Sequence, residues 1–529
     1  MVNAERSLSQ GARGLSPAGT KSLFAGLSRW ARTTVGATAD RGGPAWGPRP
    51  RGDRGRPVPI IVTHRSTHPV TRRLLLVTYH FPPDPAVGAQ RWQKLVRYAV
   101  ERGWGVDVIA LHLSALPRHD LGRVADLPSD VAVYGVRPPS MALTRLIESM
   151  WRVLKPATPP APHADPTMRS ASRATEGLRW WPRERRDLLR AYHVMVDHAG
   201  GRRWAQHAVQ QGLALLKEDL HQLVISSGPP HCAHLAARSI AERAGLPFVM
   251  DLRDPWRLQQ RLPDDLASPL WVALAARAER RCMEVAARIV VNTDLHRDAL
   301  RGIYPSLAER ILTIQNGWDD DQLPAHRTGS RFMMAYAGTI YLDRDPRPFF
   351  RAAARVAAKY QLTSAEFGIE FMGVVSELDG MPLTEMAAAE GIGRFLTLHS
   401  PRSQAEAREF LARASLLLVL PQDTTFAIPA KLFEYLRFEA WVLALASKNS
   451  AVEVVLRESE ADVVAPDDVD AIAAVIERRF LLHRDGVHPF AIARDGAFGR
   501  RRQAEALFDI IDALGTQNGG GGPPVTPPG

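Results

Sequence analysis

At 529 residues the chain exceeds one compact domain, and roughly 150 residues per domain suggests about three. Apolar residues at 45% and charged residues at 23% are ordinary for a globular protein, which excludes collagen-like, coiled-coil and wholly disordered chains. The formal net charge of +11 raises nucleic acid and anionic membrane as partners, subject to where along the chain that charge lies.

Most of it lies at the amino end. Residues 1–72 carry 12 Lys and Arg against 3 Asp and Glu, with 10 Gly, 7 Pro and no apolar period, so they read as a disordered basic arm. Beyond residue 72 the balance is 55 basic to 53 acidic, with no basic stripe interleaved with aromatics, so no specific nucleic-acid partner is expected. Cys232 and Cys282 cannot form a disulfide framework and read as buried thiols in a reducing compartment. No apolar run reaches 18 residues, and Lys21–Trp30 lacks the compact apolar stretch of a signal peptide, so a cytoplasmic location is expected.

Order is expected from Arg73. The apolar run Leu74–Thr78 reads as a strand buried on both faces. A loop Tyr79–Gly88 leads to a helical pattern over Gln90–Arg102, with Trp92, Leu95, Val96 and Ala99 on one face, and then to a strand at Val106–Ala110. Strand, helix, strand is a βαβ unit and implies a parallel sheet. The Pro/Ser/Ala-rich stretch after Pro138 reads as an insertion of about 138–200, with helical patterns at Glu184–Tyr192 and Arg203–Leu216. Strands follow at Gln222–Ser226, Phe248–Leu252, Ile289–Asn292 and Ile311–Gln315, separated by helical patterns at Ala233–Ala244 and Ser268–Ala287.

A second βα series opens at Phe332–Gly338 and runs through Pro348–Lys359, Gly368–Gly373, Phe395–His399, Gln404–Ala414, Leu416–Leu420, Ala430–Phe438, Trp441–Leu445 and Asp468–Arg478. A last helix, Arg500–Leu514, precedes a Gly/Pro tail. The expected organisation is a basic arm (1–72), an α/β domain (73–320), a second α/β domain (330–490), a terminal helix (495–514) and a disordered tail (515–529).

In open α/β sheets ligands bind beyond the carboxyl ends of the strands, which selects a few positions. Gly88 opens a helix, where backbone N–H groups can approach an anion or a sugar, although a plain turn would look the same. Neither G-x-G-x-x-G nor G-x-x-x-x-G-K-[ST] occurs, which removes the dinucleotide and P-loop fingerprints. Asp251-Leu-Arg-Asp-Pro-Trp256 follows a strand, so Arg253 and Asp254 either act at a reacting centre or pair to pin the loop. Gly338 ends a strand with Arg344 six residues on, suiting a diphosphate. Lys431 and Glu434 lie three apart at a helix start, as a phosphate and ribose pair or as a surface pair. His231-Cys-Ala-His234 lacks a third ligand at suitable spacing, and Asp319-Asp-Asp321 reads as a solvated acidic turn, so no metal is expected.

Taken in order, Tyr79-His-Phe-Pro-Pro-Asp…Gly88-Ala-Gln-Arg91, Ser226-Ser-Gly-Pro-Pro230, Leu252-Arg-Asp-Pro-Trp256, Asn316-Gly-Trp-Asp319, Ala337-Gly-Thr-Ile-Tyr341 and Pro429-Ala-Lys-Leu-Phe-Glu-Tyr435 resemble the glycosyltransferase family 4-like enzymes, and within them a subgroup acting in cell-surface polysaccharide synthesis. The resemblance spans about Arg73 to Leu514. It implies the GT-B fold, two doubly wound Rossmann-like domains facing a central cleft, with the last helix crossing back to the first domain. It further implies transfer of a sugar from a nucleotide-sugar donor to a lipid-linked or polysaccharide acceptor, retaining and metal-independent, with no cofactor because the nucleotide-sugar is a substrate.

By the same resemblance Gly338, Arg344 and Lys431 would hold the diphosphate and Glu434 the ribose. Gly88 and Arg91 would belong to the acceptor and phosphate loop, and Arg253, Asp254 and Arg344 would act at the reaction centre. The chain departs from the family's E-x₇-E pattern, since Phe426 stands eight residues before Glu434, and Arg253 stands where many relatives have histidine. Two other readings are a nucleotide-sugar epimerase of the same fold and a non-catalytic GT-B-like binding protein. Trp180-Trp181 with Arg183, Arg185 and Arg186 suits peripheral contact with an anionic membrane at the inner face of the plasma membrane, or a helix hairpin with its tryptophans turned inward.

Overall fold

The computed structural model describes residues 59–62, 71–116, 118–138, 183–217, 220–319, 321–327, 329–422, 424–493 and 498–519, all within one unit, Arg56–Gly529. The reading of Trp180-Trp181 and most of the 138–200 insertion lies outside the described residues.

Two parallel sheets organise the chain. The first contains β1 (Ile61–Val62), β2 (Arg72–Thr78), β3 (Trp104–Leu111), β4 (Val131–Val136), β5 (His221–Gly228), β6 (Phe248–Leu252), β7 (Arg288–Val291) and β8 (Ile311–Thr313), in the order β1-β4-β3-β2-β5-β6-β7-β8. Within it β1 alone is antiparallel to its neighbour. The second contains β9 (Phe332–Thr339) and β10 (Phe367–Val374), then, after a small hairpin of β11 (Glu377–Leu378) and β12 (Met381–Pro382), β13 (Leu396–His399), β14 (Leu416–Val419), β15 (Trp441–Leu445) and β16 (Asp462–Val464). Its order is β13-β10-β9-β14-β15-β16, all parallel.

The apolar run of β2 explains why it is central. Leu74 and Leu76 face one side of the sheet, packing with Trp92, Leu95 and the last helix, while Leu75 and Val77 face the other, packing with Trp204 and Ile240. All four are fully buried, as a strand covered on both faces requires. In each sheet the strand order reverses beside the first-formed strand, between β2 and β5 and between β9 and β14, which opens a crevice at their carboxyl ends.

Several expectations need correction. Ile61 and Val62, assigned to the disordered arm, pair with Val133 and Ala132 at the sheet edge. The last helix runs Arg500–Gly519, taking in the first residues assigned to the tail. The two helical patterns after the insertion are one helix, Arg183–Leu215, so the insertion ends before residue 183. Its glycines mislead because they mark close packing instead of a break. A Cβ on Gly201 would lie 3.3 Å from Cys232 Cβ, and one on Gly212 would lie 2.5 Å from Ile240 Cδ1. The structure adds two strands beyond those read from the sequence, β4 and the three-residue β16.

The last helix returns to the first sheet. Ala504, Leu507, Phe508, Ile511 and Leu514 are buried in the cluster that holds β2 and β3, and Asp512 accepts from Trp104 Nε1 at 2.9 Å. The outgoing and returning chain segments pair at Trp318 and Gly499, with Trp318 N donating to Phe498 O at 3.1 Å and Arg500 N to Trp318 O at 2.8 Å. Asp319 meets Arg500 at 2.6 Å and Lys94 at 3.3 Å, so the acidic turn is ion-paired and half-buried, not solvated as expected. Burial pushes its carboxyl up, but Arg500 and Lys94 outweigh this and hold it below the ordinary range.

Two predictions follow from this crossing. A Cβ on Gly317 would lie 2.3 Å from Phe498 O and 3.1 Å from Arg500 N, both backbone, so Gly317→Ala is expected to cost about 1 to 3 kcal/mol in denaturant unfolding. An unchanged midpoint would show that the return segment can shift. The Asp319 pair stabilises above the unfolded carboxylate pKa of about 3.9 and fades as pH falls through the lower folded value. Asp319→Asn is therefore expected to lose about 2 kcal/mol at neutral pH and to show a shallower loss of stability below pH ~4. Parallel stability–pH curves for variant and wild type would refute this.

Candidate active site

At the crevice of the first sheet, β2 runs into the loop 79–86 and the helix Val87–Glu101. Asp84 organises this loop, with one carboxylate oxygen 2.6 Å from His80 Nδ1 and the other accepting from Ala86 N at 2.9 Å. Gly88 lies against Arg253: a Cβ there would be 3.2 Å from Arg253 Nη2 and 3.2 Å from the His80 ring. Arg253 itself is buried, and its guanidinium donates to Gly88 O at 2.8 Å, Pro229 O at 2.6 Å and Gly228 O at 3.3 Å. These contacts clamp the Gly88 loop to the loop after β5, which makes Arg253 a positioning residue. Asp254 is exposed beside it.

Arg91 does not join that loop's ligand side. It is 5% exposed and donates inward to Asp251 at 3.2 Å, Gln315 O at 3.2 Å, Asn316 Oδ1 at 3.0 Å and Ile314 O at 3.1 Å. Asp251, fully buried, also accepts from Trp92 Nε1 at 2.8 Å and Ser227 Oγ at 2.9 Å. The helix, β5 and β6 thus meet on one carboxylate, and Arg91 ties the segment 314–316 to them. A group placed by resemblance at the phosphate loop is an interior tie.

A stack of imidazoles stands beside Arg253. His231 lies on Trp256 with ring centroids 4.6 Å apart, and His234 Nδ1 is 2.6 Å from Ser226 Oγ. Burial, reinforced by the neighbouring His234 and Arg253, pulls His231 well below the ordinary histidine pKa; burial also takes His234 down to about 3 and His296 to about 4. All three are neutral at physiological pH. The Nε2 atom of His234 has no partner among the described residues and lies 2.5 Å from where a Gly228 Cβ would sit, so glycine is required there. The available signal was His-Cys-Ala-His directly after a strand, read only as a metal motif.

In the second sheet the crevice is built on two paired glycines. Gly338 has φ +147° and Gly373 φ +127°, and a Cβ on Gly373 would lie 2.1 Å from Gly338 O. A Cβ on Gly338 would lie 3.0 Å from Lys431 Nζ, so the strand end is open for the ammonium group to approach. Lys431 Nζ also sits 3.6 Å above the Tyr336 ring and donates to Ala337 O at 3.4 Å. Tyr435, on the same helix, fixes that helix to the strand by accepting from Ala337 N at 2.8 Å. The fold therefore brings Gly338 and Lys431 together.

Arg344 stacks on Tyr341, 4.3 Å from the ring centroid, in the loop after β9; Gln422 Nε2 ties this loop to the one after β14 through Asp345 O at 3.2 Å. Glu434 accepts from Arg408 Nε at 2.7 Å, and Arg408 continues to Asp321 at 3.3 Å.

The two crevices face each other across direct contacts. Thr293 Oγ1 donates to Phe426 O at 2.6 Å, Thr425 N to Gln260 Oε1 at 2.6 Å, and Arg261 pairs with Asp343 at 2.9 Å. Phe426, standing where many relatives carry glutamate, is half-buried with its ring 6.2 Å from that of His296. At that point the cleft is aromatic, with no carboxylate from residue 426.

No protein-family model matches the chain. D-inositol 3-phosphate glycosyltransferase 1 of Catenulispora acidiphila is 27% identical over 207 residues, which are 36% of this chain and 49% of that protein, so the chain spans about half the length of this curated relative. Among solved structures, an α,α-trehalose 6-phosphate synthase from Burkholderia multivorans superposes with a TM-score of 0.54 at 14% identity, covering 86% of this chain and 100% of that one. Anabaena HepE, solved with UDP and glucose, gives a TM-score of 0.50 at 12% identity, covering 84% and 100% respectively. With both sheets doubly wound and their carboxyl ends opposed, this chain has the GT-B fold of those glycosyltransferases.

Proposed function

We propose that the chain is a glycosyltransferase that moves a sugar from a nucleotide-sugar to a lipid-linked or polysaccharide acceptor, retaining the anomeric configuration and needing no metal. The observation that carries this reading is the approach of Lys431 to Gly338 at the crevice of the second sheet, opposite the Gly88 loop clamped by Arg253. An ammonium group beside a strand end stripped of side-chain bulk suits a diphosphate, and Arg344 lies on the adjoining loop. Glu434 is the candidate for the ribose hydroxyls, oriented by Arg408.

In this reading the donor lies in the second half and the acceptor under the Gly88 loop. Cleavage of the sugar–phosphate bond develops positive charge on the sugar and negative charge on the departing diphosphate. Lys431 and Arg344 stabilise the latter, being fixed before the reaction starts. Arg253 contributes by holding two loops in register, so its substitution disturbs positioning before it disturbs charge. Phe426 gives the sugar subsite an apolar wall, which bears on which donor sugar fits. HepE binds UDP, which makes UDP the first nucleotide to test here. The acceptor class places the protein at the inner face of the plasma membrane, and no helix among the described residues is long and apolar enough to cross it.

Lys431→Ala is expected to weaken UDP binding at least tenfold in calorimetry, about 1.4 kcal/mol. An unchanged affinity would remove the donor-site assignment. Glu434→Ala is expected to weaken nucleotide-sugar binding by a similar factor while costing at most about 1 kcal/mol of stability, since its pair with Arg408 is part-exposed. Purified protein incubated with nucleotide-sugars should release nucleoside diphosphate only when a membrane extract supplies acceptor. Sugar interconversion without extract would instead indicate an epimerase, and binding without turnover a non-catalytic protein.

A further inference from the structure

Outside the cleft, the helices Arg183–Leu215, Cys232–Ala244 and Pro269–Val285 enclose a groove of about 760 Å³ on the first half of the molecule. Each helix turns basic side chains into it at one-turn spacing or near it. The first supplies His198 and Arg202, the second Arg238 and Arg243, the third Arg277 and Arg281. Gln206, Gln210 and Ser239 add neutral hydrogen-bonding groups, and among the described residues no carboxylate lines the groove. Arg238 has a partner, Glu242 at 3.2 Å. Arg202, Arg243, Arg277 and Arg281 have no ion-pair partner among the described residues.

So many like charges on three packed helices repel one another, and an isolated fold would place acids among them. Burial, and secondarily the Arg202 charge, hold His198 below the ordinary histidine pKa. The longest segments outside the described residues are themselves basic: residues 139–182 carry 6 Lys and Arg against 3 Asp and Glu, and residues 1–58 carry 10 against 3. The volume is that of a small-molecule site. Guanidinium forks from three directions match the oxygens of phosphate better than those of any neutral ligand.

We propose that this groove binds a multiply charged phosphate anion at a site separate from the nucleotide-sugar cleft. None of the cleft residues Gly88, Arg253, Gly338, Arg344, Lys431 or Glu434 lines it, so the assignment stands independently of the glycosyl-transfer reading. The phosphate can belong to a soluble compound or to a lipid headgroup.

The test titrates inorganic pyrophosphate into the full chain, its Lys431→Ala variant and an Arg277→Glu/Arg281→Glu variant, with circular dichroism and thermal unfolding as folding controls. Saturable binding is expected in wild type and in Lys431→Ala, weakened at least tenfold in the charge-reversed variant, whose UDP affinity should be unchanged. Arg202→Gln, a milder change on another helix, should weaken pyrophosphate binding several-fold if the reversed variant does not fold. Wild-type pyrophosphate affinity in the reversed and Arg202→Gln variants, or a loss confined to Lys431→Ala, overturns the site. Sedimentation with phosphatidylglycerol vesicles, using phosphatidylcholine as control, then separates the sources. Pelleting that pyrophosphate reverses identifies a lipid phosphate, and pyrophosphate binding without pelleting identifies a soluble one. Failure to bind either probe overturns the proposal.

Discussion

A single acidic turn holds the two halves in register. Asp319 takes Arg500 from the returning chain and Lys94 from the helix that carries the Gly88 loop, and Asp321 passes the connection through Arg408 to Glu434. The candidate acceptor loop and the candidate ribose residue are thus two ends of one line of alternating charges. Asp319, Arg500 and Arg408 are largely shielded from water, where an ion pair is screened less and a missing partner costs more, while Asp321 is 41% exposed. Because the crevices of both sheets lie beside this line, any rotation of one half against the other must stretch or re-form it. The Thr293–Phe426 and Arg261–Asp343 contacts across the cleft are the second place where such a rotation would be felt.

The alternating α/β architecture was legible because its central strands are continuous apolar runs. Leu74–Val77 and Leu416–Val419 are buried on both faces, and apolar runs this short, bounded by turn or polar residues, read as buried strands. What escaped was structure whose cause lies elsewhere in the chain. Ile61–Val62 is a strand because β4 offers it an edge. Gly200 and Gly201 look like a helix break until the helix at Cys232 is seen packing against Gly201.

The site divides along the same line. The adjacency of Gly338 and Lys431 was legible because a glycine at a strand end and a lysine at a helix start carry local meaning. Arg91 and Arg253 look alike in sequence, both arginines at loop–helix or strand–loop junctions. Only the distant acceptors, Asp251 and Ile314 for one and the carbonyls of Gly88 and Pro229 for the other, show that both are structural ties. The net charge misled in a related way. Past residue 72 basic and acidic residues nearly cancel, 55 against 53, yet arginines gather in one groove because carboxylates are placed elsewhere. A sum over the chain carries no information about that separation.

The return of the last helix bears on how the protein is made. Leu74, Leu76 and Val106 are covered by Leu507, Phe508 and Ile511, which leave the ribosome only after the whole second half has been synthesised. Until then only the helix Val87–Glu101 covers that face of the first sheet, and a nascent chain with part of its core still exposed is open to aggregation. The first half can therefore acquire its topology early but not its full cover. Completion of its core waits on the second half, so the two behave as one folding unit despite having separate sheets.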